Sequence, residues 1–567
     1  MTDTPRPSTP VDEIAERFWD DLLKLSPTTA TMYGDHRYDD RLPDPSAAGR
    51  AEMRALAERV GREANGIADE GLSVEDRITR DMLRVISELS IEDDDLAFHE
   101  LRAVDQIEGP QTLLAQVAQF QPADTPERLE AVLARIHGYG AVIDATIEIL
   151  HESRASGRTA ARIVAERTID QLKRLLAIPI EEAIVPAMAT VASEADRERI
   201  RDAVREVVYP ADRRYLEALE GDYLAATRDI PGLISAPHGA ELYRHAIRQW
   251  TTLDLDPREV HRVGLEELDE LTRERREIAR AEGFGDDIKA YRHSLEINPG
   301  NQAKTPEELV AWAQRKIGHA MAVAPRVFGR LPVATCEVRA VEGFKEKDAP
   351  FAYYFPPAPD GTRPGIYYVN TYDLPSRTFT KLASVTFHEA VPGHHFQITL
   401  EMEHPQLNRF RRFGSRLIGG AFTEGWGLYS ERLADELGLY ESPGERFLML
   451  DMQAWRASRL ITDSGMHGLG WSRQRSIEWL LETGLSPTDA VIETDRYIVW
   501  PGQALTYMTG MREIRRLRLE LEARDGAAFD LKAFHDALIG HGTLPLATLE
   551  RELPRWLTLA NAGRTAG

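Results

Sequence analysis

Cysteine is almost missing. Cys336 is the single one in 567 residues, so no disulfide can form within the chain, and thiolate zinc or iron–sulfur sites are excluded. Any bound metal has to be held by His, Asp or Glu. Long apolar runs are missing too: no stretch approaches the ~20 residues of a membrane span, and mean hydropathy is −0.37. The first residues, MTDTPRPSTPVDEIAERFWDDLL, show neither a basic leader nor an apolar segment, which makes the cytoplasm the expected location. Neither GxGxxG nor GxxxxGK[ST] occurs, so dinucleotide and P-loop chemistry find no support. No GxSxG elbow serves a serine hydrolase; FGSRLIGG around Ser415 is not one. Cations are in deficit, 69 Lys+Arg against 92 Asp+Glu, for a net charge of −23. A phosphate-rich partner would be repelled, so neither nucleic acid nor an anionic membrane is expected.

The remainder is globular in composition, 43% hydrophobic and 28% charged, which excludes disorder. Length alone suggests roughly 3–4 domains, yet no long linker and no internal repeat divides the chain. One soft boundary lies at Ile230-Pro231-Gly232 and Ala236-Pro237-His238-Gly239. It would split a single body, 1–567, into an N-terminal helical lobe, 1–235, and a catalytic lobe, 236–567. Apolar residues recur at helical spacing in Val11–Leu25, Pro126–Leu150, Ala160–Leu176, Ala240–Arg248, Glu259–Ala281, Pro306–Ala322 and Pro487–Tyr497. Thr305-Pro306-Glu307-Glu308 sets an N-cap, an N1 proline and first-turn acids in order. The runs Glu92–Asp95 and Arg273–Arg280 read as solvated helix faces. Between Leu331 and Thr371 the pattern changes: Val333–Val338 and Ile366–Val369 read as strands, with Pro359-Asp360-Gly361 as a turn. The fold class expected is mainly α, a large helical body with a small sheet before its richest chemistry.

That chemistry is a histidine cluster. Sixteen histidines are spread thinly, yet three fall in His388-Glu389-Ala390-Val391-Pro392-Gly393-His394-His395. Leu382, Val385, Thr386 and Glu389 keep helical spacing, so His388 and Glu389 lie late in a helix beginning near Ser376. The common zinc-peptidase motif sets its histidines at i and i+4, on one helix face. Here i+4 is Pro392, which lacks the N–H that would bond the His388 carbonyl. A continuous helix would put His394 about 120° away from His388, and His395 about 10 Å further along. The motif therefore requires Pro392-Gly393 to break the helix and carry one of these histidines back. A third ligand is available thirty-six residues after His388, at Glu424, in a helix for which Thr423 is a plausible cap. Two histidines and one glutamate would hold one zinc ion per chain and leave a position for water. Glu389 would accept a proton from that water and pass it to a leaving amine.

HEAVPGHH followed by EGWGLYSERL resembles a large bacterial family known as domain of unknown function 885, whose pattern is HExxPGH followed by EGW and which is grouped with gluzincin-like metallopeptidases. The likeness runs from SPTTATMYGDHRYDDRLPD to RYIVWPGQALTYMTG, most of the chain. In that pattern the first histidine of the pair is the fixed one, so the resemblance favours His394 over His395. It implies a zinc-dependent, mostly helical peptidase with a deep cleft, acting on short peptides.

Other residues are candidates by type. A tyrosine hydroxyl, Tyr497 or Tyr507, would suit the oxyanion, and Arg496 could bind a substrate carboxylate bidentately. Arg459, Asp463 and His467 are spaced four apart on one helix face, so His467 is a candidate for substrate contact, with a buried network between helices as the other reading. Tyr368 and Asn370 lie on the strand before the metal helix; as an edge it could pair with an extended peptide. His99, His238 and His404 have no partner pattern and read as structural or surface residues. Two rivals stand beside the peptidase: a metallohydrolase of a non-peptide amide or ester, and a catalytically inactive helical scaffold. Oligomeric state is left open.

Overall fold

The computed structural model describes residues 8–183, 190, 191, 193–342, 350–358, 361 and 363–565. Helices dominate, and several of their starts share one pattern: a Ser, Thr or Asp cap followed by proline. Thr9-Pro10, Thr125-Pro126, Asp256-Pro257, Thr305-Pro306, Ser442-Pro443 and Ser486-Pro487 each open a helix, the cap oxygen accepting a first-turn N–H. Proline fixes φ for the first turn and gives up an N–H that has no partner there, and each cap contributes about 1 kcal/mol. The helices expected from periodicity all form, several a few residues longer, such as Pro126–Ser156 and Pro257–Ala281.

The two expected solvated faces hold only in part: Arg273, Arg276, Glu277, Arg280 and Asp95 are exposed, but other residues of both runs turn inward. Glu92 and Asp93 close on the buried His245, at 2.9 and 3.1 Å. Arg275 is 2% exposed and donates to Asp451 at 2.8 Å. In both cases another helix brings the partner.

The sheet has three strands: β1, Cys336–Ala340; β2, Ala352–Phe355; and β3, Gly365–Val369. Their order is β1-β3-β2, with β1 parallel and β2 antiparallel to β3. The strand expected from Val333 begins at Cys336 instead, because the N–H groups of Val333 and Ala334 donate to the Glu403 carboxylate. Pro359 and Asp360 of the expected turn lie outside the described residues. β3 is the central strand, with both edges paired, so it cannot accept an added peptide strand; that expectation is overturned. Alternation points Tyr367, fully buried, at the helix behind the sheet, where Thr386 donates to its hydroxyl at 3.3 Å. Tyr368 points the other way and stacks on its cross-strand neighbour Tyr353 at 4.9 Å.

One apolar core draws on residues from Ile14 to Leu557, and a second on residues from Ala103 to Ala504. Both cross residue 235. Through the middle runs the helix Pro443–Leu469, buried at every position from Arg456 to His467, as expected of a helix enclosed on all sides.

Candidate metal centre

The helix expected near Ser376 runs from Phe379 to Glu389, capped by Thr378. It stops where Pro392 forbids continuation, and a second helix, His394–Met402, starts at once. Gly393 sits against the end of the first helix, where a Cβ would run into the His388 carbonyl oxygen. A third helix, Ala421–Glu436, supplies Glu424 from its first turn. Thr423 does not cap it: the helix begins two residues earlier, after Gly420, which has no side chain to cap with. The Trp426 indole N–H donates to the carbonyls of Pro392 and Gly393, at 2.9 and 3.2 Å. The EGW motif is thus bolted onto the break in the HExxPGH motif, which sets His394 back beside His388.

The outcome is a tight cluster. One ligand atom each from His388, His394 and Glu424 lies within 4.8 Å of the others. Glu424 Oε2 is 3.4 Å from Nε2 of both histidines, and the imidazoles meet edge to face at 4.7 Å. Behind His388 stands Glu431, which accepts from Nδ1–H at 2.8 Å. Its other oxygen accepts from the Ser384 hydroxyl at 3.0 Å. That bond leaves Nε2 as the nitrogen whose lone pair can face a cation. Glu431 follows Glu424 by seven residues, two turns on the same helix face, a spacing that could have disclosed it. His394 has no such backing; its Nδ1 is buried without a hydrogen bond among the described residues. Glu424 keeps 24% of its side chain exposed, against 4% for His388, so the cluster opens on the Glu424 side.

Burial alone would lower the His388 imidazole, but Glu424 and Glu431 outweigh it and push it up to about 10. Burial would raise Glu424, yet both histidines hold it well below the carboxylate range. Two imidazoles and one carboxylate, with an ordered outer carboxylate behind His388, are a donor set that fits zinc. Glu389, half-buried beside His388, is raised by burial and by Glu424 against the pull of both histidines.

His395 turns away. It is 1% exposed, with Nδ1 2.9 Å from the Tyr354 hydroxyl, and burial pushes it down to about 4. Tyr507 lies over His388, rings nearly parallel at 6.4 Å. Tyr497 stands one layer back, its hydroxyl accepting from Arg459 at 3.0 Å and Trp455 at 3.3 Å, so it supports Arg459 instead of reaching the cluster. Arg496 donates to Gln503 and lies 3.7 Å from Glu493, which already answers its charge. Three substrate contacts are corrected. His467 is fully buried, with Nδ1 accepting from Leu233 N–H and Nε2 donating to the Tyr497 carbonyl. Asn370 is 1% exposed and accepts from Tyr372 N–H within its own turn. Tyr368 lies on the sheet face away from the helix Phe379–Glu389. Asp463 also faces elsewhere, toward Tyr243 and Gly502, so Arg459, Asp463 and His467 form no single network.

Among solved structures, the chain is similar to a lipoprotein candidate from Colwellia psychrerythraea, with a TM-score of 0.88 and 28% identity over 97% of this chain and 99% of that one. A lipoprotein candidate of unknown function from Shewanella oneidensis shares the fold, with a TM-score of 0.74 and 20% identity over 97% of this chain and 100% of that one. No curated protein matches the chain. The profile of a family described as bacterial protein of unknown function (DUF885) matches residues 27–553, nearly the whole length, and the chain belongs to that family.

Proposed function

We propose that this chain is a zinc-dependent hydrolase, a peptidase acting on short peptides in a cleft over the histidine cluster. His388, His394 and Glu424 would hold one zinc ion per chain, and Glu389 would be the general base. One observation carries the reading: three ligand atoms from separate helices converge within 4.8 Å, with a carboxylate adjoining the first of them in sequence. When bound, zinc supplies Lewis acidity, polarising a carbonyl and making water acidic enough to attack near neutral pH. Glu389 takes the proton of the attacking water on its carboxylate and hands it to the leaving nitrogen. The hydroxyl of Tyr507, whose ring faces that of His388, would donate to the oxygen that gains charge. Glu431 fixes the His388 tautomer, and Trp426 keeps the break closed so that His394 stays in place.

The test combines metal analysis of the purified protein with a mixed peptide library, on wild type and Glu389→Gln. About one zinc per chain is expected, with turnover falling roughly 10²–10⁴-fold in the variant while zinc is retained. Zinc without peptide cleavage would move the substrate to a non-peptide amide or ester. Absence of stoichiometric metal would leave an inactive scaffold. The partner proposed is the peptide itself, with neither nucleic acid nor membrane. The cytoplasm is the proposed location; cell fractionation tests it against the membrane attachment that the descriptions of the two structural relatives raise.

A further inference from the structure

Arg456 is a buried cation that makes no direct ion pair among the described residues, with Glu431 and Glu424 acting on it only from further off. It lies on the central helix, 8% exposed. Its one hydrogen bond among the described residues runs from Nη1 to the Met452 carbonyl of its own helix, at 3.3 Å, and its Nε is buried and unbonded. Neighbouring buried arginines are answered: Arg275 and Arg292 share Asp451, at 2.8 and 2.7 Å, and Arg459 meets Glu493 at 3.0 Å. No ion pair to Arg456 occurs among the described residues.

Its place is what gives this meaning. The guanidinium carbon is 5.9 Å from the centre of the Tyr507 ring, the same ring that lies over His388. Arg456 adds to the field at both Glu389 and Glu424. Trp455 stacks on it at 4.5 Å and keeps it from swinging out. Burial, and Arg459 one turn along, lower its affinity for its proton from the ordinary value, against the pull of Glu431, Tyr507 and Glu424. A guanidinium stripped of water and left unpaired is costly. The ligand that repays that cost is a planar anion able to take two parallel N–H bonds, which is a carboxylate.

We propose that Arg456 binds the free C-terminal carboxylate of the substrate, so that the site acts on short peptides cut near their C-terminus. The proposal rests on the hydrolase reading above but is tested apart from it. An aspartate side chain in the same place would offer the same chemistry, so three probes are needed: a non-hydrolysable reduced-amide dipeptide as its free acid, the same compound as its C-terminal amide, and an amidated analogue ending in aspartate.

Calorimetry with the zinc-supplied full chain should show the free acid bound at least about 30-fold more tightly than the plain amide, with the aspartyl amide near the plain amide. Arg456→Met should bring the acid-to-amide ratio close to one, while Arg456→Lys keeps part of the preference. Equal affinity for acid and amide in wild type overturns the proposal. So does an unchanged ratio in Arg456→Met, failure of all three probes to bind, or an aspartyl amide that matches the acid. If Arg456→Met does not fold, the wild-type and Arg456→Lys ratios decide. Acid-selective binding with no hydrolysis of the parent dipeptide upholds Arg456 and removes the peptidase; hydrolysis with no acid preference does the reverse.

Discussion

Gly427 has no room for a methyl group: a Cβ there would stand 2.7 Å from His388 Nε2. Gly427→Ala is therefore expected to displace the imidazole and weaken zinc binding by about 10-fold or more, with helix content retained. Competition with a chromophoric chelator reads the first and circular dichroism the second. Glu431→Gln tests the opposite side of the same ring. The amide can still accept from Nδ1–H but carries no charge, and loss of such an outer carboxylate costs roughly 10–100-fold in metal affinity. An affinity equal to wild type would show that Glu431 does not tune the ligand. At this scale the sequence was readable where a residue type had one chemical use. His388, Glu389 and Glu424 stand out by type and spacing. His467, Asn370 and Tyr368 misled because a polar side chain near a motif looks the same whether it faces the site, a backbone group or a neighbouring ring.

Among elements, the helix break at Pro392-Gly393 decides the site. Proline ends the helix for a reason visible in the sequence, since the chain cannot bond the His388 carbonyl there. Where the chain goes next is set by Trp426, which holds both carbonyls of the break. Trp426→Phe removes the indole N–H and leaves the Pro392 carbonyl unanswered, while the Gly393 carbonyl keeps the Gln397 N–H, a change expected to cost about 1–3 kcal/mol. Urea unfolding should show that loss, together with weaker zinc binding; a fall in stability alone would mean that His394 is placed without the clamp. The helix carrying Glu424 and Trp426 is anchored by backbone approach at Gly425, where a Cβ would strike Gly510 of the helix Thr506–Asp525. That contact brings Tyr507 over His388, and no periodicity could have announced it. The sheet is a similar case: two of its strands follow from alternation and aromatic content, but that β3 is central and not an edge depends on pairing with β2.

For the molecule as a whole, buried carboxyls couple stability to pH. Asp463, on the fully enclosed part of the central helix, is pushed up to about 7 by burial, against the hydrogen bonds of Tyr243 and Gly502. Its unfolded value is near 3.9. Between those two values the folded chain holds a proton that the unfolded chain has lost, so stability falls as pH rises from about 4 to about 7 and is level above. Asp463→Asn should flatten that fall by on the order of 4 kcal/mol. Urea unfolding of both proteins at several values across this window measures it, and parallel curves would mean that Asp463 ionises normally. Glu401, likewise pushed up to about 7 by burial, adds to the slope in both proteins and cancels in the difference.

Taken alone, the sequence determined the helical class, the capped helix starts, the exclusion of thiolate sites and the family pattern, because each depends on local sterics or on residue counts. Tertiary structure decided which histidine returns to Glu424, which tyrosine stands over the site and which arginine is left unpaired. Those outcomes depend on helices far apart in the chain meeting at a few ångströms, and on whether a charge meets its partner within the fold or is left unanswered.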